Sequence, residues 1–285
     1  MAHPNPKNMI DDNIQLVSLP EVALRINQLL DEPTSTAQDI ADLISQDAAL
    51  TIRLLKIVNS SFYNFTSKIE TVSKAVSIIG THDLRDLVMA TTIIQKFDSI
   101  PADLASPESF WCHNIACATA ARTIAKQLKL KNSERFFIAG LLHDIGKLVM
   151  YLTSPDLSKQ IIELMTVPDV DITQLEEISF GFSHADLGAE LIRAWNLPEM
   201  LIATTQFHHK PSAANQFQTE VAVVHLANNI ANAIEKPFSL DDDIPIKDST
   251  WIMLNLDESE LNSLTDESNS LYQETLSLIY HKKVA

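Results

Sequence analysis

A histidine followed directly by an aspartate, His143-Asp144, stands in the apolar stretch of residues 139–147. Imidazole and carboxylate groups together suit zinc, iron, manganese or nickel ions. Neighbouring side chains on a helix diverge by about 100°, so both reach one ion only when one of them lies at the edge of a turn. The pair therefore indicates a metal site only if other parts of the chain supply further ligands.

Several more histidines lie before and after this pair in the same part of the chain. The candidate ligands are His113, His143, Asp144, His184, His208, His209 and His225. A single histidine in a helix is more often a core or surface residue than a ligand, and adjacent histidines point apart on a helix. His225 lies on an apolar helix face, and we interpret it as a core histidine. The remaining histidines are interpreted as surface residues: His3, His82 and His281.

The elements that must position these side chains are predicted to be helices. Only 5 glycines occur in 285 residues, and 46% of the chain is hydrophobic, with apolar residues recurring at helical spacing. Helix caps are predicted at Ser18, Thr36 and Ser183. No stretch alternates as a strand would, so the fold is predicted to be all-α. Residues 1–13 carry two prolines and are expected to be loose.

Composition limits the possible partners and location. The chain has 21 Lys and Arg against 37 Asp and Glu, a net charge of −16. Such a chain has no evident basic stripe for phosphates, so no nucleic acid partner is expected. Neither a signal peptide nor a long apolar span is evident, and no membrane association is expected. With two cysteines that form no CxxC motif, a cytoplasmic location is the simplest prediction.

The order of the polar residues resembles the HD superfamily of metal-dependent phosphohydrolases, including its branch that hydrolyses cyclic dinucleotides. His143-Asp144 with Lys147 carries this resemblance, between an earlier histidine and two later histidine sites. The resemblance implies that Lys147 lies near a substrate phosphate and that a bound ion activates water. It also implies a set of metal-site positions: His113, His143, Asp144, His184, His208, His209 and, at the closing position, Asn228.

Three departures from that superfamily weaken the hydrolase interpretation. Its closing aspartate stands in an Ala-Asp dipeptide, whereas this chain has Ala227-Asn228, and a neutral amide binds a divalent ion less well than a carboxylate. Ser109 replaces a glutamate that some members carry. A loop bearing Gly-Tyr-Pro is expected after His209, but residues 210–214 read Lys-Pro-Ser-Ala-Ala. The site has therefore lost a carboxylate and its substrate loop.

Motifs in the first part of the chain resemble the HDOD domain, an HD-related output domain of bacterial signalling proteins. The resemblance implies a two-lobed helical HDOD fold over 14–236, with an N-terminal helical lobe at 14–97 and an HD-like lobe at 98–236. Residues 237–285 are expected to form an acidic C-terminal helical extension. The motifs are Leu16-Val-Ser-Leu-Pro-Glu-Val22, Ile44-Ser-Gln-Asp-Ala-Ala-Leu-Thr51, Leu54-Leu-Lys-Ile-Val-Asn-Ser-Ser61, Ala75-Val-Ser-Ile-Ile-Gly80, Phe180-Gly-Phe-Ser-His-Ala-Asp-Leu-Gly188 and Trp195-Asn-Leu-Pro198.

These resemblances leave three functional hypotheses. The leading one is a cytoplasmic signal-transduction protein whose HDOD domain binds a protein partner or a small-molecule ligand without turnover. The competing one is an active metal-dependent phosphodiesterase or phosphohydrolase. The third is an ion, of Fe, Mn, Zn or Ni, retained for structure or sensing without chemistry. The sequence does not set the oligomeric state.

Overall fold

A computed structural model describes residues 5–13, 17–60, 63, 65–96, 106–165, 171–235, 246 and 248–279. Every regular element in these residues is helical, which confirms the predicted all-α fold. The helices are α1 (Pro6–Asp12), α2 (Glu21–Asp31), α3 (Ala37–Ser45), α4 (Ala48–Val58), α5 (Val72–Ile79), α6 (Thr81–Lys96), α7 (Pro107–Gln127), α8 (Ser133–Leu142), α9 (Ile145–Thr153), α10 (Pro155–Leu164), α11 (Ile172–Phe180), α12 (His184–Ala194), α13 (Glu199–Phe207), α14 (Gln218–Ile234), α15 (Asp248–Leu254) and α16 (Leu261–Ile279), with 3₁₀ turns at Pro211–Ala213 and Glu258–Glu260.

The helices form two compact units. The smaller unit comprises the described residues of 19–98 and 270–285, and the larger unit comprises those of 1–18 and 99–269. His82 is exposed in the smaller unit. His3 and His281 lie outside the described residues.

Helix α2 of the smaller unit begins later than its sequence predicts. Ser18 was the expected cap, but the helix begins at Glu21 with Pro20 as its N-cap and without a side-chain cap. Proline disfavours the helical conformation of the residue before it, so Leu19 cannot enter the first turn. The predicted cap of α3 is present, because Thr36 and Asp39 bond reciprocally to each other's backbone N–H.

Helices α7, α8 and α14 form the core of the larger unit. Helix α7 packs against both α8 and α14, and its buried face is rich in alanine. A β-carbon added at Gly140 would lie 2.7 Å from the Ala118 Cα, so these backbones approach too closely for any larger residue. The close approach fixes the end of α8, where the first candidate ligands lie.

A second close contact joins α9 to α12. A β-carbon on Gly146 would lie 1.9 Å from the His184 carbonyl oxygen and 2.7 Å from the Gly188 nitrogen. Because both neighbours are backbone atoms, only glycine fits at Gly146. The contact brings the start of α9, with Asp144, against the start of α12, with His184.

The N-terminal residues are not loose, which corrects the expectation for residues 1–13 within the described part. Asn5 caps α1, and Pro6 occupies its first turn. Helix α1 packs on α12, and Ile10 is fully buried. The segment is also held at Val17, whose carbonyl accepts a 2.9 Å hydrogen bond from the Trp195 indole N–H.

This docking predicts a stability loss on truncating Ile10. Ile10→Ala is expected to lower the free energy of unfolding by about 2–4 kcal/mol, because it leaves a cavity under α1. Urea unfolding followed by circular dichroism measures the change. The exposed neighbour provides a control, since Asp11→Ala should shift the same quantity by less than about 0.5 kcal/mol. Equal effects of the two substitutions would contradict the docking of α1.

One described segment is long and apolar enough to cross a membrane by length and composition alone. It is Ser133–Thr153, in which an 18-residue window has a mean hydropathy of 1.3, and 89% of that window is buried inside the fold. The segment comprises α8 and α9, which are interrupted at His143 and Asp144. A buried core segment passes the same test, and its interior position accounts for its apolar composition.

Candidate metal centre

The His143-Asp144 pair lies at the break between two helices. His143 caps the end of α8, and Asp144 is the N-cap of α9 with φ −102° and ψ 11°. This break turns the two side chains toward each other, so that His143 Nε2 lies 3.5 Å from Asp144 Oδ2. The expectation that one of them must lie at the edge of a turn matches this geometry.

The Asp144 carboxylate is surrounded by imidazoles from four other elements or turns. Its Oδ1 lies 3.3 Å from His184 Nε2 and 3.5 Å from His208 Nε2. Its Oδ2 faces His143 and lies 3.9 Å from His113 Nε2. His209 completes the cluster, with its Nε2 3.0 Å from that of His184. Two groups able to hold an ion result, and they share Asp144: one with His184, His208 and His209, the other with His113 and His143.

Hydrogen bonds on the far side of two rings fix which nitrogen faces the centre. His143 Nδ1 donates to the Gly140 carbonyl, and His208 Nδ1 donates to the Thr205 carbonyl, each at 2.7 Å. A carbonyl only accepts, so the proton of each neutral ring stands on Nδ1 and the lone pair on Nε2. Within the described residues, the Nε2 atoms of His143 and His208 are buried and make no hydrogen bond. Metal-binding histidines have this arrangement.

Glu176 is a residue that the sequence analysis did not identify. Its Oε2 accepts hydrogen bonds from both the backbone N–H and the Nδ1 of His184, each at 2.7 Å. Glu176 is buried on α11, on the same face as Ile172 and Phe180. An acidic residue on the buried stripe of a helix was a signal available in the sequence.

The protonation states suit an ion. Burial lowers the pKa of His143 to about 4, because a buried imidazolium loses its hydration. Burial also lowers the pKa of His208 and holds that of His209 well below its usual value. Burial opposes the charge of Asp144, but His143 and Lys147 outweigh it and hold the carboxyl pKa well below its usual range. At neutral pH the centre therefore offers the Asp144 carboxylate and neutral imidazoles at His143, His208 and His209.

His184 differs from the other rings. Burial lowers its pKa, but the Glu176 carboxylate outweighs burial and raises the pKa to about 9. Asp144 acts in the same direction. An ion and a proton therefore compete for His184 Nε2, as at other metal-binding histidines.

The other sequence-identified residues lie around this cluster. Lys147 Nζ donates to Asp144 Oδ2 at 2.8 Å. His225 is buried on α14, and its Nδ1 donates to the His208 carbonyl at 2.7 Å. Asn228 lies one turn further along α14, and its buried Oδ1 accepts no hydrogen bond within the described residues. Ser109 lies in the first turn of α7, one turn before His113.

The residues present fit a divalent transition metal ion. Imidazole nitrogens and a carboxylate converge in a buried site, and the Nε2 atoms of His143 and His208 make no hydrogen bond to any described residue. The ligand chemistry suits zinc, iron, manganese or nickel and does not select one of them. His184, His208, His209 and Asp144 would hold one ion, and His113 and His143 would complete a second position on the same carboxylate.

Fold and site together define an all-helical protein with a buried histidine–aspartate centre of the metal-binding type. The family model of the HDOD domain matches residues 16–211, and the chain belongs to this family. An uncharacterized protein of Treponema pallidum (strain Nichols) is 30% identical over 226 residues, which cover 77% of this chain and 42% of that protein. The chain thus spans less than half the length of this relative.

Solved structures show the same fold. An HDOD domain protein with unknown function from Geobacter sulfurreducens matches with a TM-score of 0.68 and 24% identity, covering 94% of each chain. A candidate phosphohydrolase from Shewanella amazonensis SB2B matches with a TM-score of 0.72 and 22% identity, covering 95% of this chain and 96% of that one. A candidate signal transduction protein from Marinobacter aquaeolei VT8 matches with a TM-score of 0.73 and 21% identity, covering 95% of this chain and 61% of that one. At these identities the likeness establishes the fold.

Proposed function

We propose that this protein is a cytoplasmic signal-transduction protein whose HDOD domain binds a protein partner or a small ligand, with a divalent metal ion held at the His/Asp centre. The burial of the centre carries this proposal. His143, His184 and His208 are each 0% exposed, and Asp144 is 1% exposed. A catalytic metal site keeps a position open to substrate and water, whereas the described residues cover these four side chains.

Two further features support binding without turnover. Lys147, which would contact a substrate phosphate, is buried and donates to Asp144. By the resemblance to the HD superfamily, Asn228 puts a neutral amide where a closing aspartate is expected, which leaves one carboxylate fewer to hold an ion and stabilise charge. The relative from Marinobacter aquaeolei is named for signal transduction, which agrees with this class of function.

A second candidate function is a metal-dependent phosphohydrolase. The two oxygens of Asp144 face different histidines, Oδ1 toward His184 and His208 and Oδ2 toward His143. A carboxylate shared between two metal positions is the arrangement of two-metal hydrolytic sites. An ion there would supply Lewis acidity. The Shewanella amazonensis protein of the same fold is named as a phosphohydrolase, which agrees with this candidate.

Elemental analysis and activity assays separate these functions. We expect protein purified without a histidine tag to contain metal, and to hydrolyse neither a generic phosphodiester nor cyclic dinucleotides after loading with Mn, Fe or Zn. His208→Ala should lower the metal content by at least about tenfold, because it removes a ligand and its oriented lone pair from the group of Asp144, His184, His208 and His209. Turnover that disappears in His143→Ala would instead establish the hydrolase. Less than about a tenth of an equivalent of any transition metal in the unsubstituted protein would refute the metal-binding part.

A further inference from the structure

We infer that Glu176 is a positioning residue for the metal centre, acting through His184. This inference rests on the proposed metal binding and deepens it. Glu176 lies on α11, on a separate helix from the candidate ligands, and belongs to neither group able to hold an ion. Its carboxylate is only 3% exposed. The free-energy cost of burying this group must therefore be offset by strong hydrogen bonds.

Those bonds are both made to one residue. Glu176 Oε2 lies 2.7 Å from the His184 backbone nitrogen and 2.7 Å from its Nδ1. The backbone N–H belongs to the first residue of α12, which lacks an acceptor within its own helix. The carboxylate therefore holds the main chain and the ring of His184 together, and this leaves the ring a single orientation.

That orientation decides which nitrogen meets the ion. An ionised carboxylate can only accept, so the proton toward it stands on Nδ1 of His184. The lone pair of the neutral ring is then on Nε2, which lies 3.3 Å from Asp144 Oδ1 and 3.0 Å from His209 Nε2. An amide in place of Glu176 could instead donate to Nδ1, which would place the ring proton on Nε2 and block the ion.

Glu176 also changes the charge of the centre. Asp144 is the carboxylate that both groups able to hold an ion share, and its charge is offset by Lys147 at 2.8 Å. Glu176, in contact with His184, adds a second buried carboxylate whose negative charge favours a divalent ion. Carboxylates behind metal-binding histidines raise the basicity of the ligand in the same way.

Isothermal titration with zinc tests this role. Glu176→Gln is expected to weaken zinc affinity by about 10–100-fold, and the neighbouring, exposed Glu177→Gln should change it by less than about twofold. The two substitutions remove the same charge from adjacent positions, so a general effect of net charge cancels. Unchanged affinity in folded Glu176→Gln would overturn the inference.

A second measurement uses the unsubstituted protein without metal, so it does not depend on whether a variant folds. Proton–nitrogen spectra of the metal-free protein should show a downfield, exchange-protected His184 Nδ1–H resonance, as expected of a buried hydrogen bond to a carboxylate. Its absence would overturn the role of Glu176. If the resonance is present but no zinc binds, metal binding fails while the positioning of His184 by Glu176 stands.

Discussion

Asp144→Asn is expected to weaken metal binding by more than about 100-fold, a larger loss than removal of a supporting group produces. Asp144 belongs to both groups able to hold an ion, whereas each histidine belongs to one. The substitution also leaves the buried Lys147 ammonium without the carboxylate 2.8 Å away. The free energy of unfolding is therefore expected to fall by about 3–5 kcal/mol, the usual cost of removing one member of a buried ion pair.

A double variant separates these two effects. Lys147→Met added to Asp144→Asn removes the buried charge and should restore much of the stability without restoring metal binding. Metal content measures the first effect, and denaturant unfolding in EDTA measures the second. The exposed Asp156→Asn serves as a control and should change neither. Retention of a full equivalent of metal in Asp144→Asn would show that the centre is not organised around this carboxylate.

Much of the site could be predicted because its members carry distinctive residue types in a distinctive order. The sequence indicated His113, His143, Asp144 and three later histidines, and the structure brings all of them into one buried cluster. These side chains converge only because the backbones of α9 and α12 lie close together. Gly146 and Gly188 let two helices meet, and a sequence shows only that glycines stand there. Distances between ligands therefore could not be derived from spacing.

Glu176 was missed for a related reason. It is separated from His184 by a turn in which Gly181 ends α11 at φ 84°. That turn folds α11 back against the start of α12. Glutamate is common on exposed helix faces, so only its position on the buried stripe distinguished it, and burial of that stripe is a tertiary property.

The helix ends predicted from local sequence were correct in two places and wrong in others, for physical reasons. The caps at Thr36 and Ser183 form because each serine or threonine has an acidic residue three positions later, with no proline between them. Ser18 has the same spacing but is followed by Pro20, and the helix begins later. Helix α1 was missed because its stability depends on burial of Ile10 against distant residues.

The Gly146→Ala variant is expected to lower the free energy of unfolding by about 3 kcal/mol or more. In an ordinary helix the same substitution stabilises by about 0.5–1 kcal/mol, so the sign of the change is informative. Here the added methyl would lie 1.9 Å from the His184 carbonyl oxygen, and the backbone of α9 and α12 must separate to admit it. Separation moves His184 away from Asp144, so zinc affinity should fall together with stability.

Gly188→Ala provides the graded comparison on the opposite helix. Its added methyl would first meet the Thr205 Cγ2 at 2.8 Å, a side-chain atom, and would lie 3.1 Å from the Gly146 nitrogen. Because a side chain moves more easily than backbone, this variant should lose less stability and less zinc affinity than Gly146→Ala. Denaturant unfolding and zinc titration of both variants show which of them loses more stability and more zinc affinity. If Gly146→Ala is as stable as the unsubstituted protein and binds zinc equally well, the close contact of α9 with α12 does not position the centre.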